Sequence, residues 1–411
     1  MRWRRVQLAE FLDEGGIDIQ TGPFGTQLRA SDYTSEGIPV INVRNMGYGD
    51  LRPDKLEFVP SRVASRLSRH LLETYDIVFG RKGAVDRHLL VSESEAGWMQ
   101  GSDCIRLRIL TDELDAAFLS FVLRLPSHRQ WMIAQCSNKA TMASLNQDVI
   151  ARISIRLPDR ETQTRIASIL SAYDDLIENN RRRIQLLEQA ARLLYKEWFV
   201  HLRFPGHEHV NIIDGVPEGW EKRTIADVCE TVGGGTPSTR VADYWGGDIT
   251  WVVPSDVTKN DCLVLLDSER KITERGLRKS SARMVPAETI LMTSRASVGF
   301  FALMDREVCT NQGFINIIPH EDTMRMYLLF NLISRVSEIR GNAKGTTYPE
   351  ISKGRFREMD IIVPSKTLVN EFAGFVGDMI RQIRFLKRST RKLEAARDLL
   401  LPRLMNGEVV V

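Results

Sequence analysis

Apolar side chains recur in alternating steps of four and three residues in two stretches, residues 173–198 and residues 372–400. Such a heptad pattern predicts two helices that pair along one face, as in a coiled coil. The residues expected at this pairing are Tyr173, Ile177, Asn180, Ile184, Leu187, Leu194, Ile383, Leu386, Leu393 and Leu400. We expect the helices to pack antiparallel within one chain, with the polar Asn180 and Thr390 fixing their register. The alternative is that each helix packs on its own globular domain or on another protein.

The two heptad stretches belong to an internal repeat. Leu157-Pro158 and Val363-Pro364 stand at corresponding positions, each just before a helical stretch. The repeat is about half the chain, far longer than a solenoid unit of roughly 20–50 residues, so it indicates a duplicated domain. The predicted organisation is a domain over 1–158, a helical spacer over 159–200, a linker and second domain over 201–364, and a second spacer over 365–411. In this plan the two termini lie close together.

Outside the helical stretches, short β-branched runs bounded by Gly, Pro and Asn are typical of strands. They are IPVINV, YDIVFG, CIRLRIL and ISIRLP in the first half, and ITWVVP, TILMTS, FINIIP and MDIIVP in the second. Residues 116–125 and 326–334 predict short helices. The expected fold class is therefore α/β, in the mixed α+β sense. Two similar domains are joined by two long antiparallel, coiled-coil-like helices, with an internal pseudo-two-fold repeat.

Composition changes this picture little. The 411 residues are 43% hydrophobic and 27% charged, as in ordinary globular proteins. No run of about 18 apolar residues and no signal-peptide pattern is present, so we expect a cytoplasmic protein that does not enter membranes. A formal net charge of only +3 means that nucleic acid would be bound through local patches. Five scattered cysteines without a C-x-x-C pair predict free thiols.

Catalytic motifs are absent from the sequence. It contains no Walker phosphate loop, no G-x-G-x-x-G, no H-E-x-x-H and no G-x-S-x-G. Asp256, Glu269 and Lys271 have the spacing of a metal-dependent nuclease core, but they lie in a charged, solvated segment. The histidines of residues 201–209 have side chains that could bind a metal, but we interpret the segment as a polar linker. We therefore predict no catalytic residue and no metal site, with a self-sufficient nuclease or methylase as the alternative.

Several segments resemble the specificity (S) subunits of type I restriction-modification systems. They are TGPFGTQL (21–28), GIPVINVRN (37–45), LYKEWFVHLRFPGH (194–207), VGGGTPSTRVADYWGGDITWVVPSD (232–256) and LLLPRLMNGE (399–408). The resemblance covers essentially the whole chain, including its duplication, and GGTPST…YWGG…W is its most specific part. The first half has TGPFG in place of GGTPS and YWGG, which implies that the two halves read different sequences.

The resemblance implies a non-catalytic, DNA-binding subunit of a restriction system. Each domain would be a target recognition domain that reads one half of a split, asymmetric site in double-stranded DNA. The helices would set the gap and dock methyltransferase (M) subunits, and restriction (R) subunits would complete the complex. This chain would hold no cofactor, because S-adenosylmethionine, ATP and Mg²⁺ would bind the partners that methylate adenine and cut DNA. The alternative is a helical scaffold that never reads DNA.

In this family the loops between strands face DNA, so the candidate contacts are loop residues that can bind phosphates or base edges. These candidates for DNA binding are Arg44, Asn45, Arg81, Lys82, Arg87, Lys139, Ser255, Arg295, Lys344, Thr346, Thr347 and Tyr348. Each of them could instead be an ordinary solvated surface residue. Trp245 and Trp251 are expected in the core and not as platforms for base stacking.

Overall fold

The computed structural model describes residues 3–53, 55–136, 143–345, 347–409 and 411. The chain forms two compact units, Met1–Leu176 with Leu393–Val411, and Ile177–Lys392. The boundaries fall inside the two long helices and not at the predicted limits after residues 158, 200 and 364. Each globular part buries its own section of both helices in its core. The predicted spacer bounds stay a prediction.

The first unit alternates short strands with short helices. Its strands are β1 (Arg4–Gln7), β2 (Ile17–Thr21), β3 (Ile38–Ile41), β4 (Tyr48–Gly49), β5 (Glu57–Val59), β6 (Ile77–Gly80), β7 (His88–Leu90), β8 (Met99–Gln100), β9 (Cys104–Ile109) and β10 (Ser154–Leu157). Its helices are α1 (Leu8–Asp13), α2 (Ser61–Arg66), α3 (Ala116–Arg124), α4 (Pro126–Cys136), α5 (Gln147–Ala151) and the first part of α6 (Arg160–Tyr195).

The central sheet of the first unit has the strand order β2-β9-β6-β7-β4. A second sheet has the order β5-β3-β8, and β1 pairs with β10. Alternating residues such as Ile105 and Leu107 of β9 are buried in one cluster with Phe118 and Phe121 of α3, as expected for strands with one face on a helix. The predicted strands β3, β6, β9 and β10 and the predicted helix α3 are confirmed.

The second unit repeats this plan. Its strands are β11 (Ile212–Ile213), β12 (Val216–Pro217), β13 (Glu221–Thr224), β14 (Cys229–Gly233), β15 (Trp245–Val252), β16 (Arg270–Ile272), β17 (Ile290–Thr293), β18 (Phe301–Ala302), β19 (Cys309–Thr310), β20 (Phe314–Pro319) and β21 (Asp360–Val363). Its helices are α7 (Ile225–Val228), α8 (Pro254–Thr258), α9 (Glu274–Arg278), α10 (Met324–Ser334), α11 (Val336–Gly341), α12 (Lys353–Arg357) and most of α13 (Lys366–Met405). The strands predicted at β15, β17, β20 and β21 and the helix predicted at α10 are confirmed.

Strand order identifies the equivalent elements of the two units. The order β14-β20-β17-β18 matches β2-β9-β6-β7, the order β16-β15-β19 matches β5-β3-β8, and the pair β13-β21 matches β1-β10. Strand direction agrees as well, since β3 and β15 each pair antiparallel with one neighbour and parallel with the other. The predicted internal repeat is therefore confirmed at the level of topology.

The long helices α6 and α13 run antiparallel in both units. In the first unit, Ile166 near the start of α6 shares an apolar cluster with Leu401 near the end of α13. In the second unit, Trp198 lies just after α6 and packs on Phe372 near the start of α13, with ring centroids 6.0 Å apart. The predicted antiparallel arrangement is confirmed.

The heptad positions form the buried stripe of each helix. None of the ten residues expected at the pairing is exposed, and Ile177, Ile184, Ile383 and Leu386 are buried. Asn180 and Thr390 were predicted to fix the register of the two helices. The buried Thr390 hydroxyl has no hydrogen-bond partner among the described residues, so it gives this role no support. That role stays a prediction.

The ends of the chain meet in the first unit, as the repeat predicts. Trp3 packs against the same apolar cluster as Val409 and Val411. All five cysteines are buried and free, which confirms the prediction of unpaired thiols. No helix within the described ranges combines the length and the apolar character that crossing a bilayer requires.

Candidate nucleic-acid interface

Three loops of the first unit meet at one end of its central sheet. The strands β2 and β6 run antiparallel to β9, so their last residues lie beside the first residues of β9. Gly22 donates its N–H to the Cys104 carbonyl at 2.9 Å, and Arg81 donates its N–H to the Asp103 carbonyl at 2.7 Å. A side chain at Gly22 would overlap the carbonyl oxygen of Gly101. Glycine is therefore what allows the loops after β2 and before β9 to touch.

Two predicted cations of this unit are exposed on the joined loops, and each lies beside a carboxylate. Lys82 Nζ is 3.2 Å from Asp103, and an Arg44 guanidinium nitrogen is 2.8 Å from Glu57. The turn that carries Arg44 adjoins the same loops, because Gly101 donates its N–H to the carbonyl of Ile41 at 2.9 Å. Exposed ion pairs contribute only about 0–1 kcal/mol, so a phosphate can replace the carboxylate at little cost.

Asn45 is the predicted contact that the structure corrects. It is fully buried, and its Oδ1 accepts the N–H of Asn42 at 3.1 Å while its Nδ2 donates to the carbonyl of Arg52 at 3.1 Å. The amide thus closes the turn after β3 and is not presented to an adenine. Asp256 has the same position after β15, where its Oδ2 accepts the N–H of Val253 at 2.8 Å. Both side chains cap a turn, so neither enters the candidate interface.

The second unit forms the same loop cluster at the ends of β14 and β17 and the start of β20. Gly235 donates its N–H to the Thr310 carbonyl at 2.8 Å, and Ser294 donates its N–H to the Gly313 carbonyl at 2.7 Å. The buried Trp251 donates its indole N–H to the Gly235 carbonyl at 2.9 Å, which holds the Gly-rich loop from beneath. Trp251 is a core residue, as expected.

Four predicted residues of the second unit are exposed on two adjoining segments of this cluster. Lys344 and Glu350 pair through both main-chain hydrogen bonds, at 2.9 and 2.8 Å, and Arg295 lies 3.6 Å from the Glu350 carboxylate. Thr347 and Tyr348 lie between them, and 67% of the Tyr348 surface is exposed. Cations, a hydroxyl and an aromatic ring are thus presented together, which suits contacts to phosphates and base edges.

The remaining predicted residues are less accessible or lie outside the described residues. Arg81 and Arg87 are half-buried at the ends of β6 and β7, and Ser255 is half-buried in α8. Lys139 and Thr346 fall in gaps of the described ranges.

The nuclease-like constellation is not assembled as a metal site. Asp256 also accepts the N–H of Glu269, at 3.2 Å, so the main chain occupies both carboxylate oxygens. Lys271 lies 3.7 Å from Asp267. Across the ranges that the structure describes, no three His, Cys, Asp or Glu side chains are placed to hold a metal ion. His207 has its Nδ1 2.8 Å from the carbonyl of Phe204, within a tight turn.

Burial raises the pKa of all five cysteine thiols, to about 12 for Cys229 and Cys309. Such thiols stay protonated near neutral pH. They are therefore poor nucleophiles and poor metal ligands.

The family model for the type I restriction modification DNA specificity domain matches residues 29–189 and again residues 217–395. The chain belongs to this family. Each match begins in the globular part of one repeat and ends within a long helix, so one specificity domain corresponds to one repeat. The prediction of a type I specificity subunit is confirmed.

Similar proteins agree with this assignment. The MjaIX specificity subunit of Methanocaldococcus jannaschii is 38% identical over 155 residues, which are 37% of this chain and 36% of that protein. The HindI specificity subunit of Haemophilus influenzae is 26% identical over 340 residues, 68% of this chain and 73% of that protein. The crystal structure of the S subunit from M. genitalium, 16% identical, covers 98% of this chain and 96% of its own with a TM-score of 0.65. It has the same fold.

One exposed residue of the loop cluster in the first unit was not among the predicted contacts. Phe24 follows Gly22 and Pro23 in the TGPFG segment, and 61% of its surface is exposed. The available signal was a large apolar side chain in a loop that begins directly after a strand and is rich in Gly and Pro. The TGPFG segment carries part of the family resemblance, but its residue types alone do not show which of its side chains is accessible.

Proposed function

We propose that each unit of this specificity subunit reads one half of a split site in double-stranded DNA. The observation that carries the proposal is the repeated loop cluster at the end of each central sheet. In both units the loops are fixed by main-chain hydrogen bonds and present exposed cations, Arg44 and Lys82 in one, Arg295 and Lys344 in the other. The main-chain arrangement of the loops is the same in both units while the exposed side chains differ, which favours two different half-sites.

The two long helices set the gap between the half-sites in this proposal, and their outer faces bind M subunits. Support comes from exposed leucines at equivalent positions, Leu193 on α6 and Leu399 on α13. Exposed apolar side chains that recur at equivalent positions of a repeat favour a protein-binding surface on both helices. Because the repeat supplies one such leucine in each unit, two M subunits are expected.

In this proposal the M and R subunits, and not this chain, catalyse the reactions. The M subunits bind S-adenosylmethionine and methylate adenine, while R subunits bind ATP and Mg²⁺ and cut DNA. Two observations on this chain support this division of roles. The Asp256 carboxylate caps a turn, and burial raises the pKa of the Cys229 and Cys309 thiols, so that they stay protonated near neutral pH.

Methylation mapping tests the proposal. The chain is expressed with its neighbouring M subunit in a host without such modification, and modified adenines are then located by sequencing. A single motif of two half-sites with a fixed gap is expected. The pair Arg44→Ala and Lys82→Ala should reduce methylation by weakening the DNA contacts of the first unit, and the pair Arg295→Ala and Lys344→Ala by weakening those of the second. Absence of methylation by a correctly assembled complex would contradict the proposal.

A further inference from the structure

Phe24 is exposed on a loop whose path is restricted by the residues on either side of it. Gly22 has no space for a side chain, Pro23 is buried, and Gly25 adopts a left-handed φ of +63°. These features fix the path of the loop, since proline restricts φ and glycine alone adopts positive φ without strain. On this loop, 61% of the Phe24 surface is exposed.

The loops that adjoin the Phe24 loop carry charged side chains. Its loop touches the loop that starts β9, and Asp103 of that loop lies 3.2 Å from Lys82 Nζ. Arg44 lies on the turn that binds Gly101 of the same loop. Duplex DNA supplies partners for both kinds of side chain, because cations bind phosphates while an apolar ring meets thymine methyl groups or base faces.

The second unit has a different side chain at the same place. Gly234 follows β14 as Gly22 follows β2, and a side chain at Gly234 would overlap main-chain atoms of Thr310 and Asn311 before β20. Two residues further on, Thr236 stands where Phe24 stands. Its hydroxyl donates to the side-chain amide oxygen of Gln312. The repeat therefore places an apolar ring in one half and a hydroxyl–amide pair in the other.

We infer that Phe24 makes an apolar contact with a base of the half-site read by the first unit and helps to determine its sequence. The inference rests on the proposed function. Since Phe24 is exposed, its truncation is not expected to unfold the domain, and its effect should be confined to one half of the motif.

The experiment uses the complete complex with M subunits, carrying Phe24→Ala or Phe24→Leu, and repeats the methylation mapping. Phe24→Ala should relax one position of one half-site, with discrimination there falling about tenfold or more, as for loss of a good base contact. Phe24→Leu, which keeps an apolar side chain, should retain part of the preference. The other half-site and the thermal unfolding temperature should not change.

Tyr75→Ala is the matched control. Tyr75 has 62% of its surface exposed, and it lies before β6, at the opposite end of that strand from Lys82. Its removal should leave the motif intact. Unchanged discrimination in Phe24→Ala, or equal relaxation in Tyr75→Ala, would overturn the inference. A wild-type complex that yields no split motif would instead reject the proposed function itself, so the two failures are distinguishable.

Discussion

Asp174 of α6 and Arg397 of α13 join the two long helices of the first unit through an ion pair of 2.6 Å. The other carboxylate oxygen of Asp174 lies 2.5 Å from Arg124 of α3, so one side chain ties both helices to the globular part. At the equivalent positions of the second unit, Ile380 and Ala191 are buried in the core. The same contact between the two helices is therefore an ion pair in the first unit and an apolar contact in the second.

Asp174→Ala should destabilise the chain by about 2 kcal/mol or more, because two partly buried guanidinium groups lose their carboxylate. Urea unfolding measures the change. Asp398→Ala is the control, since Asp398 also contacts Arg397 but is largely exposed, and its loss should cost about 0.5 kcal/mol or less. Equal effects of the two variants would contradict the central position of Asp174.

Asn45→Ala should lower the free energy of unfolding by about 1–2 kcal/mol, because the turn after β3 loses a capping acceptor and buried main-chain groups lose their partners. The methylated motif should stay the same. Asp256→Ala should behave alike in the second unit. An Asn45→Ala protein of normal stability with a relaxed preference for adenine would show that this amide reads DNA after all.

Lys82→Ala and Arg295→Ala should weaken DNA binding nearly equally on specific and unrelated duplexes, as expected for contacts to phosphates. The slope of log affinity against log salt should fall by about one for each charge removed. Lys222→Ala is the control, because Lys222 is exposed on β13 and lies beside Asp360 of β21, away from the loop cluster. A slope that is unchanged in Lys82→Ala would exclude a phosphate contact at that residue.

His88 should make the fold sensitive to acid. Burial, with a smaller contribution from Arg124, lowers the pKa of His88 to about 3, and its Nε2 lies 2.9 Å from the Ser120 hydroxyl. The unfolded chain takes up a proton at this histidine below pH 6.5 while the folded chain does not, so stability falls as the pH falls from 6.5 towards 3. Between pH 6.5 and 5 this group should remove about 2 kcal/mol.

Urea unfolding of His88→Gln at pH 7 and pH 5 checks this prediction. The variant should lose about 2 kcal/mol less than the wild type on acidification. His209→Gln, at an exposed position, should follow the wild type. Equal pH dependence of His88→Gln and wild type would show that His88 is protonated in the folded state.

Leu193→Glu and Leu399→Glu should each weaken binding of one M subunit, because a charge in an apolar interface must be desolvated. Sedimentation of the mixed subunits measures the stoichiometry, and the double variant should lose both partners. Leu110→Glu is the control, since Leu110 is as exposed but lies after β9, off the long helices. Full assembly of the double variant would place the M subunits elsewhere on the chain.

The heptad stretches and the β-branched runs were sufficient to predict the antiparallel helices and two neighbouring strands of each central sheet, β6 with β9 and β17 with β20. Periodicity of this kind is local, so a single sequence carries it completely. The strands β2 and β14 of the same sheets were not predicted. The short strands β4, β7 and β8 were missed, because two or three residues hold no period and form strands only where a neighbour supplies hydrogen bonds.

The sequence did not predict which candidate contacts are accessible, because accessibility depends on the tertiary structure. Asn45 and Arg44 are neighbours in one turn, and both are residue types that read DNA, yet one is buried as a cap and the other is exposed. Phe24 was not predicted as a contact because apolar side chains are usually buried. The residue types of TGPFG alone do not indicate which side chain of the loop is exposed.

The sequence by itself determined the duplication, the helix pairing, the family and the absence of a catalytic motif, since each depends on spacing along the chain. Only the tertiary structure decided which loops meet. Antiparallel pairing of β2 and β6 with β9, and of β14 and β17 with β20, brings together segments far apart in sequence. The same packing turned Asn45 and Asp256 into caps and left Phe24 exposed, because burial depends on neighbours that no local pattern specifies.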